Sequence, residues 1–262
     1  MDLDLTGKHA LVCGASQGIG LATAIELAAL GANVTLLARR ADVLERLAGE
    51  LSTSRPEQQH DWIAVDGSDT ATLRAKVEAL VSARPVHVLI NNSGGPPPGT
   101  VSGAGEDAFL AAFRTHLLAN QALAEAVVPG MQAAGYGRII NVISTSVKEP
   151  IPGIGVSNVT RGAVASWAKT LARELAPHGI TVNNVLPGST HTPRIEQIIA
   201  ARSQKTGANE AAITADMVAE IPMGRFAEPS ETAAAIAFLA SPAASYITGI
   251  NLPVDGGRTR SL

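Results

Sequence analysis

Hydrophobic residues fall along this chain as short dense runs separated by longer, sparser stretches. The dense runs, "HALVCGA", "NVTLLA", "DWIAV", "VHVLI", "GRIINVI", "ITVNNVL" and "INLPV", are rich in Val, Ile and Leu and too short for helices. Between them, residues 19–30, 41–51, 70–82, 106–134, 157–176 and 230–239 carry apolar positions at helical spacing, as helices with one buried face do. Strands without a polar face are buried on both sides, so the alternation predicts βαβ units and a parallel sheet. Right-handed crossovers then place helices on both faces. The predicted fold class is α/β, a single doubly wound domain spanning residues 1–262. The segment "NNSGGPPPGTVSGAG" has the Gly and Pro content of a linker. It follows a strand and precedes the longest helical pattern, which makes it a loop over the strand ends.

In sheets of this kind ligands bind beyond the carboxyl ends of the strands, so the residues just after each strand carry the functional information. The first strand runs into "CGASQGIG". Gly14, Gly18 and Gly20, with Ser16, Gln17 and Ile19 among them, would let the backbone turn tightly and approach a pyrophosphate at a helix N-terminus. The second strand ends at Ala38, Arg39 and Arg40, where a site for NAD would place a carboxylate on the ribose 2′-hydroxyl. Guanidinium groups bind a 2′-phosphate instead, so the cofactor expected is NADP(H); the plainer reading is that both arginines cap a sheet edge. The third strand ends at Asp66 and Gly67, suited to an adenine amine, the fourth at Asn92, Ser93 and Gly94, and the sixth at "LPGSTHTP" with Pro187, Gly188, Thr190 and Thr192. Singly these are turn residues. Their recurrence at successive strand ends is the signal.

Composition narrows the partners. The 262 residues are 46% hydrophobic and 16% charged with a net charge of −3, which fits a globular protein and gives no basic field for nucleic acid. Cys13 is the only cysteine, so no intramolecular disulfide can form. The start, "MDLDLTGK", lacks the features of a signal peptide, and the longest apolar stretch, 109–128, is interrupted by Arg114, His116, Asn120 and Glu125. No membrane partner and a cytoplasmic location are expected, with no metal site.

Taken together, "CGASQGIG", "NNSG", "GRIINVIS", "AKTLARELAPHGITVNNVLPG", "GRFAEPSETA" and "ITGINLPVDGG" resemble the short-chain dehydrogenase/reductase superfamily, in its β-ketoacyl carrier-protein reductase-like branch. The resemblance runs along almost the whole chain. It implies a Rossmann-type sheet of seven parallel strands in the order 3-2-1-4-5-6-7, a two-helix lid at about 192–226, and a homo-oligomer, a tetramer in most members. It also implies a reaction on a carbonyl or alcohol substrate by an Asn, Ser, Tyr and Lys. The family's serine falls on Ser144, its tyrosine on Ser157, its lysine on Arg161 and its asparagine on His116. Three of the four differ. Tyr136 and Tyr246 lie too far along the chain to be shifted onto the helix.

Ser157 and Arg161, four apart, share a helix face, so the family's spacing survives its chemistry. Arg161 can donate to ribose hydroxyls but cannot relay a proton, its pKa exceeding about 12. Ser157 can hold an oxygen or a water but is no acid; losing the acid would slow the reaction by roughly 10² to 10⁴. As a purely structural group Ser157 would be a helix N-cap, and Arg161 would then lie in the first turn, where a cation needs a compensating anion or ligand. His116 could restore acid chemistry, or could be a core histidine paired with Asn120; His191, after the sixth strand, could face the cofactor. Three functions follow: an NADP(H)-dependent oxidoreductase with an altered acid, an NADP(H)-binding sensor or inactive subunit, and a lyase resembling halohydrin dehalogenases.

Overall fold

The computed structural model describes residues 1–261. Seven strands, β1 (His9–Cys13), β2 (Asn33–Ala38), β3 (Asp61–Ala64), β4 (Val88–Asn91), β5 (Gly137–Val142), β6 (Ile180–Pro187) and β7 (Asn251–Val254), form one parallel sheet. Their order is β3-β2-β1-β4-β5-β6-β7, the order the family resemblance implied. The central strands are buried throughout. The two outer strands, β3 and β7, keep partly exposed side chains, as edge strands do, so burial on both faces holds only for the middle of the sheet.

Nine α-helices connect and flank these strands among the described residues: α1 (Gly18–Ala29), α2 (Ala41–Glu50), α3 (Thr70–Ala83), α4 (Glu106–Phe113), α5 (Ala119–Ala134), α6 (Gly155–Leu175), α7 (Pro193–Thr206), α8 (Glu210–Ala219) and α9 (Pro229–Ala240). Alternate residues of one strand serve opposite layers. Ala10 and Val12 pack with Leu27 of α1, Leu44 of α2 and Ile236 of α9, whereas Leu11 and Cys13 pack with Val77 of α3, Leu123 of α5 and Ala168 of α6. Each fully buried Leu or Ile in these layers contributes roughly 1.5–3 kcal/mol. The segment between β6 and α9 holds α7 and α8, whose Ile195, Ile199 and Ile213 form a small core of their own with Ile221 and Phe226.

The helix expected over 106–134 is not continuous. It is α-helical to Phe113, widens to a π-turn over Arg114–Leu118, and resumes at Ala119. Apolar spacing alone does not register one extra residue in a turn.

A second feature crosses the sheet. Asn91, Asn141, Asn184 and Asn251 occupy matched register positions on β4, β5, β6 and β7. Each Nδ2 donates to the Oδ1 of the next at 2.8 Å. Three of the four are buried, and among the buried amide atoms of the row only the Asn91 Oδ1 lacks a partner among the described residues.

Candidate active site

β1 passes into α1 through a turn that only glycine fits. Gly14 and Gly18 have φ of 60° and 57°. A Cβ on Gly20 would stand 2.3 Å from the Gly14 carbonyl oxygen, and one on Gly14 would stand 2.6 Å from Asn92 Nδ2. That amide donates to the carbonyls of Cys13 and Gly14 at 3.3 and 3.4 Å, tying the loop after β4 to the loop after β1. Gln17, the N-cap of α1, gives the helix no side-chain cap, so its first N–H groups remain open to an anion.

Arg40 leans over this turn, its Nη2 3.4 Å from Ser16 Oγ and 3.2 Å from Gln17 Oε1. β2 is an internal strand, so neither arginine caps a sheet edge. Arg39 is exposed and lies within electrostatic reach of Asp66. The Asp66 Oδ1 accepts from the Ser68 N–H and hydroxyl, which hold its carboxyl below the ordinary range. Ile19 and Gly67 are partly buried and Gly94 is exposed. Pro187 ends β6, and at Gly188 a Cβ would meet Asp255 at 2.8 Å. Thr190 and Thr192 then bring the chain back to α1: a Cβ on Gly18 would meet Thr192 Cγ2 at 3.1 Å. The loops after β1, β2, β4 and β6 thus share one edge of the sheet.

Helix α6 begins at Gly155 with Ile154 as its N-cap, so Ser157 is the third helical residue and Arg161 the seventh. Ser157 is therefore not the cap, and Arg161 lies beyond the first turn. The earlier start comes from pairing that the sequence concealed. Gly99 N donates to Gly153 O at 2.7 Å and Gly155 N to Gly99 O at 2.8 Å, fixing the Pro-rich loop against the start of the helix. Both Ser157 and Arg161 are buried. Among the described residues the Ser157 hydroxyl has no hydrogen-bond partner, and it remains free for a ligand or water. Ser144 caps the short turn at Thr145–Val147, accepting from Ser146 N at 3.1 Å, which leaves its own proton to donate. α6 packs against that turn and against the π-turn of His116.

His116 is buried, and its Nδ1 lies 2.7 Å from Ser93 Oγ; the partner is Ser93 and not Asn120. Arg161 donates to Val142 O at 2.9 Å and to Ser93 O at 3.3 Å. Burial, helped by the Arg161 and Arg194 cations, pushes the His116 imidazole down to about 3. It is held neutral at physiological pH, with Nδ1 turned to Ser93. Burial and Arg194 bring the Arg161 guanidinium down to about 10, still charged near neutrality. His191 is exposed, set edge-on to Phe226 with centroids 5.3 Å apart and 4.0 Å from Glu228. Arg194 escaped the sequence reading. It is the second residue of α7, partly buried, and donates to Pro96 O at 2.8 Å. Its position directly after a proline at a helix start was the available signal.

No helix among the described residues is long and apolar enough to cross a membrane. No group of three His, Cys, Asp or Glu among them could hold a metal.

A family model described as enoyl-(acyl carrier protein) reductase matches residues 14–259. The chain is 32% identical over 261 residues to the NADPH-dependent reductase BacG of Bacillus subtilis, covering 98% of this chain and 100% of that protein. It is 32% identical over 259 residues to the 3-oxoacyl-[acyl-carrier-protein] reductase FabG of Pseudomonas aeruginosa, covering 97% and 98%. Among solved structures, L-sorbose reductase from Gluconobacter frateurii, complexed with NADPH and L-sorbose, superposes with a TM-score of 0.92 at 32% identity over the full length of both chains.

Proposed function

The chain belongs to the short-chain dehydrogenase/reductase family, and from that premise we propose that it is an NADP(H)-dependent reductase of a small carbonyl compound, with Ser157 and Arg161 in place of the family's tyrosine and lysine. The observation that carries the reading is the glycine turn with Arg40 and Ser16 beside it. A pyrophosphate needs backbone close at hand and unused N–H donors, and Gly14, Gly20 and the uncapped start of α1 offer both. A 2′-phosphate needs cations and no carboxylate, which Ala38, Arg39, Arg40 and the Ser16 hydroxyl provide. The residues fit the group. Relatives named as NADPH-dependent or complexed with NADPH support the same cofactor.

When bound, the nicotinamide supplies the hydride. The chain's own residues position and stabilise. Ser144 and Ser157 offer hydroxyls to the substrate oxygen, and Arg161 places a buried positive charge next to them on the α6 face. Neither Ser157 nor Arg161 can release a proton near neutral pH. We assign that proton to solvent, relayed to the substrate oxygen through water bound at the Ser157 hydroxyl. α7 and α8 act as the lid.

The test follows NADPH absorbance over a panel of ketones and aldehydes, with NADPH and NADH titrations by fluorescence. Turnover with tighter NADPH binding is expected. Absence of nucleotide binding removes the reading; binding without any turnover leaves a nucleotide-binding protein.

A further inference from the structure

We infer that Arg194 and Arg161 hold an anionic end of the substrate, so that the protein acts on an oxo acid and not on a neutral ketone. The inference deepens the reductase reading and rests on it. The reaction remains the two-electron reduction of the carbonyl to an alcohol, consuming NADPH and one proton and leaving the carboxylate unchanged.

Two guanidinium groups from distant parts of the chain converge on one loop. Arg161, on α6, is 8% exposed and donates to Val142 O and Ser93 O. Arg194, on α7, donates to Pro96 O and lies over Gly95, where a Cβ would stand 3.1 Å from its Nη2. Both are therefore anchored on residues 93–96. Among the described residues no carboxylate meets either of them: the arginine ion pairs are Arg46 with Glu50, Arg74 with Glu125, Arg225 with Glu231 and Arg258 with Glu220. His116, the third ionisable group of the cluster, is neutral and offsets no charge.

Such an arrangement is unfavourable by itself. A buried cation is poorly repaid by carbonyl dipoles alone, and two like charges repel. Burial lowers both guanidinium pKa values, and Arg194 lowers that of Arg161 further. Arg194 also stands in the first turn of α7, where the helix dipole disfavours a cation. An anion between the two relieves all three effects. The nucleotide's own anions would have separate partners at the uncapped start of α1 and at Arg40. A carboxylate suits a forked guanidinium, and a carboxylate next to the reacting carbonyl places the anion beside Ser144 and Ser157. Because Arg194 belongs to the lid, the substrate itself would fasten α7 over the site.

The test uses 2-oxo-, 3-oxo- and 4-oxopentanoate with their methyl esters and NADPH. We expect kcat/KM for at least one acid to exceed that of its ester by about ten-fold or more, the worth of one charge-assisted hydrogen bond. Arg194→Gln should collapse that ratio, chiefly through KM, and Arg194→Lys should keep part of it. Equal rates for acids and esters, or a ratio that survives Arg194→Gln, overturn the inference. So does Arg194→Gln weakening NADPH binding while the ratio holds, which assigns Arg194 to the nucleotide. If no compound turns over, the reductase reading fails separately, and the anion site is judged by titrating the same acids into protein saturated with NADP⁺. Acid binding lost in a folded Arg194→Gln protein supports the site. No acid binding to the wild type overturns it.

Discussion

The imidazole of His116 and the hydroxyl of Ser93 share a hydrogen bond of 2.7 Å, and burial makes that imidazole neutral. Its pKa in the folded protein is about 3, against an ordinary value of 6.5. Below the ordinary value the unfolded chain takes up a proton that the folded chain refuses. Stability is therefore complete above the unfolded pKa and falls as pH drops towards the folded one, by up to roughly 1.4 kcal/mol per pH unit for one such group. His9, which burial pushes down to about 4, acts in the same direction. Urea unfolding at pH 7 and pH 5 should show His116→Asn losing less stability on acidification than the wild type. An identical pH slope in both would place the titration elsewhere. For the same reason the pH–rate profile should carry no inflection from His116 near neutrality.

Arg40 touches both Ser16 and Gln17 at the glycine turn. Arg40→Ala should weaken NADPH by about ten-fold or more while moving NADH little, since only the 2′-phosphate uses this charge. Fluorescence titration of both nucleotides decides it; an equal loss for both would mean that Arg40 only shapes the turn.

A Cβ at Gly20 would overlap the Gly14 carbonyl oxygen and crowd Asn92 Nδ2 at 2.7 Å. Gly20→Ala should destabilise the fold by about 1–3 kcal/mol or more and displace the turn. NADPH affinity should fall together with thermal stability. An alanine variant with native affinity and melting temperature would show that the turn has slack.

Ser157→Tyr with Arg161→Lys restores the family's acid and its partner at matching positions on α6. Reduction of uncharged ketones should rise by roughly 10² or more if the missing acid limits the reaction. Steady-state rates with NADPH measure this. The acid-over-ester preference should fall in the same variant, because lysine cannot present a fork.

The sheet, its strand order and most helices were legible because apolar periodicity and βαβ topology constrain one another, and the family resemblance supplied the order. The glycine turn was legible for the same reason: steric demand leaves glycine alone as a solution. What remained hidden depended on contacts between distant segments. The pairing of Gly99 with residues 153–155 starts α6 early and removes Ser157 from the cap. Helical spacing is blind to the π-turn that carries His116. The charge state of His116 depends first on its burial and then on Arg161 and Arg194, 45 and 78 residues further along the sequence. Arg194 carries only the weak signal of following a proline at a helix start, and its proximity to the loop at 93–96 is what singles it out.

The row of asparagines across β4 to β7 acts as a levelling device for everything above it. Asn91, Asn141 and Asn184 each spend an N–H on the next strand, so a slip of one residue at any joint would turn that side chain to the opposite face and leave a buried amide stranded. The strands are thereby indexed to a common height. Asn92 and Ser93 emerge one and two residues past Asn91, while Val142, whose carbonyl receives Arg161, comes one residue past Asn141. A single mis-registered strand would shift its loop by about 3.3 Å, more than any hydrogen bond at the site could absorb.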